Sequence, residues 1–377
     1  MDRPTIMVIG IGDLGGHVLE LLARSPGSRR IITADINEEW GYRKTNIVAF
    51  GAAQMGYYPD LRFEKIDLYN VEQTAELIAQ FKPDIIYSAV SLQSWWVINT
   101  LPQEVFEELD IARFGPWLPM HLTLVHKLMR AVRQTGLDIK VINSAFPDAV
   151  GPVLDKVDMA PTIGIGNVAN PVPAIRGSIA HRLQRPIKDV TVYFFAQHYV
   201  SHYLPRFGTA GGAPYYLKAV VDGDDVTSQL NMDEVFADIP KRFRRPGGRD
   251  GQILTASSAA AITLAMEGDT GDMMHAPSPS GYPGGYPVQV NKDGGRVILP
   301  KGLTMEEAVR INEEGQQFDG IDRIEDDGTV YYAEKSVSIM KEMVGYDCSV
   351  MKLDETEACS EEINKKFKEF AAKFGKP

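Results

Sequence analysis

Three glycines at a fixed spacing form the most informative motif of the sequence. Gly10, Gly12 and Gly15 directly follow the apolar residues 5–9 and open a segment with leucine and valine at helical spacing. The first glycine permits a tight turn, the second lets a pyrophosphate approach the backbone, and the third lets the helix pack closely on the strand. A helix N-terminus also presents N–H groups to phosphates. The motif therefore predicts a dinucleotide site.

An acidic residue ends the next predicted strand. Asp35 follows residues 30–34, and a carboxylate at this position binds both ribose hydroxyls of NAD and repels the 2′-phosphate of NADP. We therefore expect NAD as the cofactor, while the nearby Arg43 and Lys44 leave NADP open. Small residues at 88–90 end the fourth strand, where they let ribose and nicotinamide lie against the backbone. The predicted cofactor-binding residues are Gly10, Ile11, Gly12, Asp13, Leu14, Gly15, Asp35, Ser88, Ala89 and Val90.

These motifs require a sheet that brings them to one edge. Strand-like and helical segments alternate over the first 150 residues, which is typical of a parallel sheet with right-handed crossovers. The predicted strands are 5–9, 30–34, 61–66, 84–90 and 140–143, and the predicted helices are 13–24, 71–81 and 118–135. We therefore expect an α/β protein whose residues 1–150 form a doubly wound Rossmann sheet.

The chain changes character after residue 150, where glycine and proline become more frequent. The later predicted strands are 190–197 and 215–221, which look antiparallel, and the later predicted helices are 254–267, 304–316 and 360–374. The prolines and glycines of 276–287 argue against regular structure there. We expect a mixed α/β substrate domain over 151–345 and a C-terminal helical extension over 346–377. The last helix is expected to pack on its own protein rather than on another subunit.

The composition excludes several classes of protein. Hydrophobic residues make up 44% and charged residues 24% of the 377 residues, which is ordinary for a globular protein. The formal net charge of −11 argues against nucleic acid as a partner. The two cysteines exclude a disulfide framework and fit no metal-ligand spacing. Since no run of 18 apolar residues occurs, we expect a cytoplasmic protein that does not cross a membrane. We also expect a homo-oligomer.

Five landmarks between about residues 117 and 340 resemble the lactate and malate dehydrogenase superfamily in order and spacing. They are VINSAFPDAV, GNVANPVPAIRGSIAHRL, VTVYFFAQHYVSHYLP, Gly211–Pro214, and GGYPVQV followed by VILPKGLTMEEAVRI. The first 100 residues, with FEKIDLYNVEQTAELIAQFKPDIIYSAV, resemble instead the N-terminal domain of saccharopine-dehydrogenase-like proteins.

The resemblance to the lactate and malate dehydrogenases implies three catalytic residues. His198 takes the place of the family's acid/base, Arg176 that of the residue that binds the substrate carboxylate, and Asn143 that of the asparagine beside the cofactor. These residue types suit the chemistry, because the pKa of histidine lies near neutrality and the guanidinium fork matches a carboxylate. The resemblance therefore implies an NAD(P)-dependent oxidoreductase that transfers a hydride to or from a small carboxylate-bearing substrate.

The sequence departs from the family pattern at two points. The family orients its histidine with an aspartate three residues before the arginine, and Pro173 stands there in this chain. Asn170 is a weaker substitute, because an amide does not stabilise an imidazolium as a carboxylate does. The loop over 92–117 is long and aromatic-rich, and Arg113 is its only arginine.

These departures keep other functions open. One alternative is an opine- or saccharopine-type reductase that joins an amino acid to an oxo acid, and another is a non-catalytic NAD(H)-sensing protein. An NAD-dependent glycosidase needs a metal-binding Cys/His pair, and the sequence has no cysteine before Cys348. His202 follows His198 at a spacing that suits a metal on a helix, but no carboxylate accompanies the pair, so we predict no metal site.

A basic cluster stands out against the acidic chain. Lys241, Arg242, Arg244, Arg245 and Arg249 lie within nine residues, in KRFRRPGGRDG. The sequence allows two interpretations, a solvated loop or a flap that closes over an anionic substrate or a cofactor phosphate.

Overall fold

A six-stranded parallel sheet dominates the first part of the computed structural model, which describes residues 4–27 and 29–375. The strands are β1 (Thr5–Ile9), β2 (Arg30–Asp35), β3 (Asp60–Lys65), β4 (Ile85–Ser88), β5 (Lys140–Asn143) and β6 (Ile163–Gly164). The helices of this part are α1 (Asp13–Ala23), α2 (Glu38–Gln54), α3 (Val71–Phe81), α4 (Gln103–Leu109), α5 (Leu118–Thr135) and α6 (Pro147–Asp155).

The strand order is β3-β2-β1-β4-β5-β6, so the sheet is doubly wound, as predicted. The order reverses between β1 and β4, and the crevice outside their carboxyl ends is where such sheets bind ligands. This part also contains elements that the sequence analysis did not predict, among them α2, α4, α6 and β6. Helix α2 was not predicted, although Asn37 caps it through its side chain. The sheet also extends to β6, beyond residue 150, where we had expected the first domain to end.

The second part of the chain is mixed α/β, with three small antiparallel sheets, β7-β8-β9, β10-β11-β12 and β13-β14-β15. Its strands are β7 (Val190–Phe195), β8 (Tyr216–Val221), β9 (Asp224–Asp225), β10 (Asp272–Pro277), β11 (Gly285–Asn291), β12 (Gly294–Val297), β13 (Ile321–Ile324), β14 (Val330–Tyr332) and β15 (Val350–Met351). Its helices are α7 (Val172–Leu183), α8 (His198–Phe207), α9 (Met232–Ala237), α10 (Ile239–Arg242), α11 (Gln252–Gly268), α12 (Met305–Phe318), α13 (Glu334–Ile339) and α14 (Thr356–Ala372).

The segment 276–287 corrects one expectation. It was predicted to lack regular structure, but β10 extends into it up to Pro277 and β11 begins at Gly285. A proline lacks only the N–H donor, and the Pro287 carbonyl still accepts a hydrogen bond from Ile298 N–H at 2.9 Å. Only the connection between these two strands is irregular.

Helix α14 packs on the protein's own first domain, as expected. Its Glu357 pairs with Lys127 of α5 at 2.7 Å, and its Phe367 ring lies edge-on to Trp117, with the ring centroids 5.1 Å apart. Among the helices of residues 4–27 and 29–375, we find none that combines the length and the apolar character needed to cross a membrane.

Helix α11 joins the two parts of the chain. Its buried alanines, Ala256, Ala259 and Ala260, share one apolar core with Val18 and Leu22 of α1 and with residues of β10 and β11. Small side chains let two helices approach closely, so the first turn of α11 lies near the glycine motif that opens α1.

Candidate active site

One cavity of 1510 Å³ contains both the glycine motif and His198. It lies at the carboxyl edge of the parallel sheet, where Gly10 follows β1 and Ala89 follows β4. Typical ligand pockets measure about 300–1,000 Å³. The cavity therefore has room for a dinucleotide and for a second molecule beside it.

The glycine motif has the geometry of a phosphate cradle. Gly10 has a φ of +81°, and its N–H donates to the Ala34 carbonyl at 2.8 Å. A Cβ on Gly15 would lie 1.8 Å from the Gly10 carbonyl oxygen, so only glycine fits there. A Cβ on Gly12 would meet no protein atom within 4 Å, because this residue faces open space. The backbone before α1 is thus free for a pyrophosphate.

Asp35 is fixed at the rim of this cradle. Its carboxylate accepts hydrogen bonds from the Ile11 and Asn37 N–H groups, each at 2.9 Å, and it lines the cavity. Arg43 and Lys44 do not line the cavity. Arg43 pairs with Glu39, and Lys44 pairs with Glu20. The Asp35 carboxylate is therefore the charged group at the end of β2 that faces the glycine motif.

The structure places eight of the ten predicted cofactor residues on the cavity. The two others, Ile11 and Ser88, are buried beneath it, where Ile11 orients Asp35 through its N–H. The Ser88 carbonyl accepts hydrogen bonds from the backbone N–H of Ser144, at 3.0 Å, and from its hydroxyl, at 2.9 Å. These two residues shape the cavity wall without reaching into the cavity.

His198 has an acidic partner that the sequence analysis did not identify. Its Nδ1 lies 2.7 Å from Oδ2 of Asp319, and both side chains are buried. His198 follows the predicted strand 190–197 as the first residue of α8, and Asp319 directly follows α12. The orienting carboxylate comes from a distant helix end, whereas Asn170 donates to Thr255 at 3.1 Å and lies in the cavity wall.

The surroundings of His198 favour its charged form. Burial alone would lower the pKa of His198, but the carboxylates of Asp319 and Asp148 outweigh burial and raise it above its ordinary value. Phe114 stacks on the imidazole with its ring centroid 5.0 Å away, and Phe146 meets it edge-on at 4.9 Å. The ring is therefore held in one orientation at the cavity wall.

Two neighbouring histidines have the opposite character. His202 lies one turn later on α8, its ring centroid 4.2 Å from that of His198. Burial, then the nearby His198, lowers the pKa of His202 well below its ordinary value, and the same causes lower the pKa of His121 to about 3. Both are neutral near pH 7, so His198 is the histidine of this group that can carry a proton there.

Asp148 adds a second buried carboxyl group near His198. Burial raises the pKa of Asp148 to about 6, although the charge of His198 and a hydrogen bond from Asn167 oppose the increase.

In residues 4–27 and 29–375 we find no cluster of three or more His, Cys, Asp or Glu side chains that would hold a metal ion.

The structure does not bring Arg176 and Asn143 into the cavity, which corrects two expectations. Arg176 lies on α7, and its guanidinium donates to the Ile187 carbonyl at 3.0 Å. The Asn143 amide is buried and exchanges two hydrogen bonds with the Ala145 backbone, each at 3.0 Å, so it shapes the turn after β5. Four other arginines line the cavity, namely Arg113, Arg206, Arg244 and Arg245.

The basic loop reaches across to the glycine motif. Arg249 donates to the Asp13 carboxylate from Nε at 3.1 Å and from Nη2 at 2.8 Å, and its guanidinium lies over the Trp96 ring. Arg244, Arg245 and residues 246–248 line the cavity. This loop therefore forms one wall of the cavity next to the phosphate cradle.

The comparisons with known proteins agree with this geometry. No protein-family model matches the sequence, and no curated protein matches it. Solved structures match over most of the chain. The chain has the fold of the lactate and malate dehydrogenases.

Three of these structures show the extent of the similarity. A lactate dehydrogenase from a Medee basin deep-sea metagenome library is 12% identical, with a TM-score of 0.56 over 84% of this chain and 97% of that chain. Lactate dehydrogenase from Cryptosporidium parvum, in complex with lactic acid and β-nicotinamide adenine dinucleotide, is 17% identical, with a TM-score of 0.56 over 85% and 99%. Malate dehydrogenase from the same organism is 16% identical, with a TM-score of 0.55 over 84% and 98%.

These matches confirm the resemblance to the lactate and malate dehydrogenases at the level of the fold. The resemblance of the first 100 residues to saccharopine-dehydrogenase-like proteins stays a prediction.

Proposed function

We propose that the protein is an NAD-dependent oxidoreductase that transfers a hydride between the cofactor and a small carboxylate-bearing substrate of the 2-hydroxy or 2-oxo acid type. The observation that carries this proposal is that the glycine motif and the His198–Asp319 pair share one cavity. A phosphate cradle and a buried acid/base on the same cavity are the two parts that such a reaction needs from the protein.

The residues of the cradle suit a nicotinamide dinucleotide. The backbone around Gly12 would receive the pyrophosphate, and Asp35 would accept hydrogen bonds from the ribose hydroxyls. The buried Oδ1 of Asn170, for which we find no donor in the described part of the chain, suits the carboxamide N–H of nicotinamide. Because Asp35 is negative and Arg43 and Lys44 are paired elsewhere, the site favours NAD over NADP.

His198 would move the proton. A bound NADH would supply the hydride for the reduction of a 2-oxo acid. Since Nδ1 of His198 is engaged by Asp319, Nε2 is the nitrogen left to give its proton to the carbonyl oxygen, and it takes the proton back in the reverse reaction. Asp319 holds the ring orientation and stabilises the imidazolium, so it is a positioning residue.

The arginines of the cavity wall would attract and hold the anionic substrate. Arg113 comes from the aromatic loop over 92–117, and Arg244 comes from the basic loop. Loop aromatics, Trp95, Phe106, Phe114 and Trp117, also line the cavity, where they exclude water and strengthen charge interactions inside it.

The geometry of the cavity bears on two of the alternative functions. The NAD(H)-sensing alternative depended on the lack of an acidic partner for His198, and Asp319 supplies one. The reductase that joins an amino acid to an oxo acid is the second candidate, because the cavity is large enough for two substrates beside the cofactor.

The test is NADH oxidation with a panel of 2-oxo acids, with and without amino acids. His198→Ala removes the acid/base and should lower kcat by about 10²–10⁴-fold. The variant should still bind NADH. Arg176→Ala serves as a matched comparison, since its guanidinium lies outside the cavity, and it should keep kcat/KM close to the parental value. A His198→Ala protein that turns over at the parental rate would refute the assigned role.

The predicted homo-oligomer and the cytoplasmic location remain proposals. Helix α2 supports an oligomer, because Tyr42, Ile47 and Phe50 expose 60–63% of their surface on it. Sedimentation of the Ile47→Glu/Phe50→Glu variant against the parental protein would test this, and an unchanged mass would remove α2 from any interface.

A further inference from the structure

Two polar side chains lie beside the N-terminal end of α11, Arg245 of the basic loop and Gln252, the first residue of the helix. Arg245 and Gln252 both line the cavity, and Nη1 of Arg245 lies 3.7 Å from the position of a Cβ on Gly251, one residue before Gln252. They face the cavity together, at the end of a 17-residue helix that no side chain caps.

Arg245 is a half-buried cation that needs an anion. Among residues 4–27 and 29–375 we find no carboxylate paired with it, whereas Arg206 pairs with Asp110 and Arg249 with Asp13. The positive end of the α11 dipole lies beside it, because Gly251 and Gln252 also line the cavity. An anion placed here would be stabilised by both, and the guanidinium fork matches a carboxylate.

Gln252 needs a hydrogen-bond donor. Its side chain is only 5% exposed, and in the described part of the chain its buried Oε1 accepts no hydrogen bond. An unsatisfied buried oxygen carries a desolvation penalty. A ligand that brings an N–H or O–H group to this oxygen would remove the penalty, so the residue discriminates between ligands with and without a donor.

His202 connects this pair to the reacting centre. Its ring is next to His198, and the charges of both His198 and Arg245 act on it. Arg245 is therefore close to a histidine that contacts the acid/base.

We propose that Arg245 and Gln252 form a subsite for an α-amino acid, with its carboxylate on Arg245 and its amino group on Oε1 of Gln252. This deepens the proposed function, on which it rests, because it assigns a second substrate to the same cavity. A cation and an unsatisfied acceptor on the same stretch of the cavity wall match a molecule with both a carboxylate and an ammonium group, whereas a plain carboxylate satisfies only the first.

The test is calorimetric titration of the full-length protein, with and without saturating NADH, with four small probes. L-alanine carries both groups, L-lactate a hydroxyl and a carboxylate, propionate only the carboxylate, and isopropylamine only the amine. We expect L-alanine to bind most tightly and propionate more weakly by at least tenfold. Equal affinity for these two would overturn the proposal. So would a lack of L-alanine binding at about 50 mM, a concentration well above typical KM values.

Three variants separate the two residues. Arg245→Gln should weaken the binding of L-alanine and of propionate at least tenfold. The control is Arg242→Gln, because Arg242 belongs to the same basic cluster but is exposed and does not line the cavity, and this variant should change neither affinity. Gln252→Glu should weaken the binding of propionate and strengthen the binding of isopropylamine. A folding defect does not produce such opposite changes. Any other pattern from these variants would contradict the assignment of the residues.

NADH binding is measured in the same experiments and reports on the proposed function separately. If the parental protein does not bind NADH, the proposed oxidoreductase function is rejected. The titrations with L-alanine and the other probes still test the subsite in that case.

Discussion

Nδ1 of His198 and Oδ2 of Asp319 lie 2.7 Å apart although 121 residues separate them in the sequence. His198 begins α8, and Asp319 directly follows α12. The backbone carbonyl of Asp319 also accepts a hydrogen bond from Gly115 N–H at 2.7 Å, which fixes the helix end against the aromatic loop. The pair is therefore held by three separate segments of the chain, and its geometry depends on their packing.

The first prediction concerns the pH dependence of this pair. Asp319→Asn removes the main group that raises the pKa of His198, so burial then dominates and the pKa falls. Reduction of an oxo acid needs protonated His198, and kcat/KM therefore falls as pH rises through this pKa. We expect the falling limb to move to lower pH in the variant, measured as NADH oxidation between pH 5 and 9. An unmoved limb would show that Asp319 does not set the proton affinity.

Stability should follow the same linkage. A histidine whose pKa is raised in the folded state contributes stability below its unfolded pKa of about 6.5, and this contribution is lost as pH rises through the folded pKa. The difference in unfolding free energy between the parental protein and Asp319→Asn should therefore be larger at pH 6 than at pH 9. Urea unfolding at both values measures it, with Asp322→Asn as an exposed control nearby.

The sequence predicted the parts of the site that depend on local geometry. The glycines and Asp35 lie within one strand–turn–helix unit and at the end of the next strand, so their spacing determines where they meet. The order of landmarks also led to His198. These inferences were possible because short segments fold in a way that their own residues decide.

Asp319 and the cavity arginines depend on contacts between distant segments. No spacing rule relates an aspartate at the end of α12 to a histidine at the start of α8, and only tertiary packing, in which Phe114 and Phe146 contact the His198 ring, brings them together. Arg176 lies on α7, which turns its guanidinium toward Ile187 rather than into the cavity. Tertiary packing decided both outcomes.

The second prediction concerns cofactor choice. Asp35→Ala removes the carboxylate that would bind the ribose hydroxyls, and hydrogen bonds to a charged group are worth about 1.5–3 kcal/mol, or about 10–150-fold in affinity. We expect NAD affinity to fall by this factor while NADP affinity stays constant or rises, measured by fluorescence titration with NADH and NADPH. Equal affinity of the parental protein for both cofactors would contradict the role of Asp35.

The third prediction concerns the ion pair between Arg249 and Asp13, which joins the basic loop to the cradle. Arg249 is largely exposed, so the pair should contribute only about 0.2–1 kcal/mol. Arg249→Gln should leave urea unfolding unchanged but should speed NADH dissociation by up to about fivefold, because the loop opens more readily. Stopped-flow displacement measures the rate. The parental rate should rise with salt and approach that of the variant, whereas identical rates at low salt would mean that the loop does not cover the cofactor.

The last prediction concerns the buried ion pair that fastens α11 to the parallel sheet. Arg29 precedes β2 and is 4% exposed, and its Nε lies 2.9 and 3.0 Å from the two carboxylate oxygens of Glu267 near the end of α11. Carbonyl groups of Leu22, Ser25 and Pro26 accept its other hydrogen bonds. Glu267→Ala would leave a buried guanidinium without a counter-charge.

Breaking a buried pair in this way costs about 3–5 kcal/mol, since the remaining charge is no longer compensated. We expect this loss in urea unfolding of Glu267→Ala, with retained kcat in the folded fraction because Glu267 lies outside the cavity. Glu314→Ala is the matched control, because its pair with Arg310 is exposed and should cost less than about 1 kcal/mol. A Glu267→Ala protein as stable as the control would mean that the carbonyl groups alone hold Arg29, and that α11 is held to the sheet by its alanine contacts with α1.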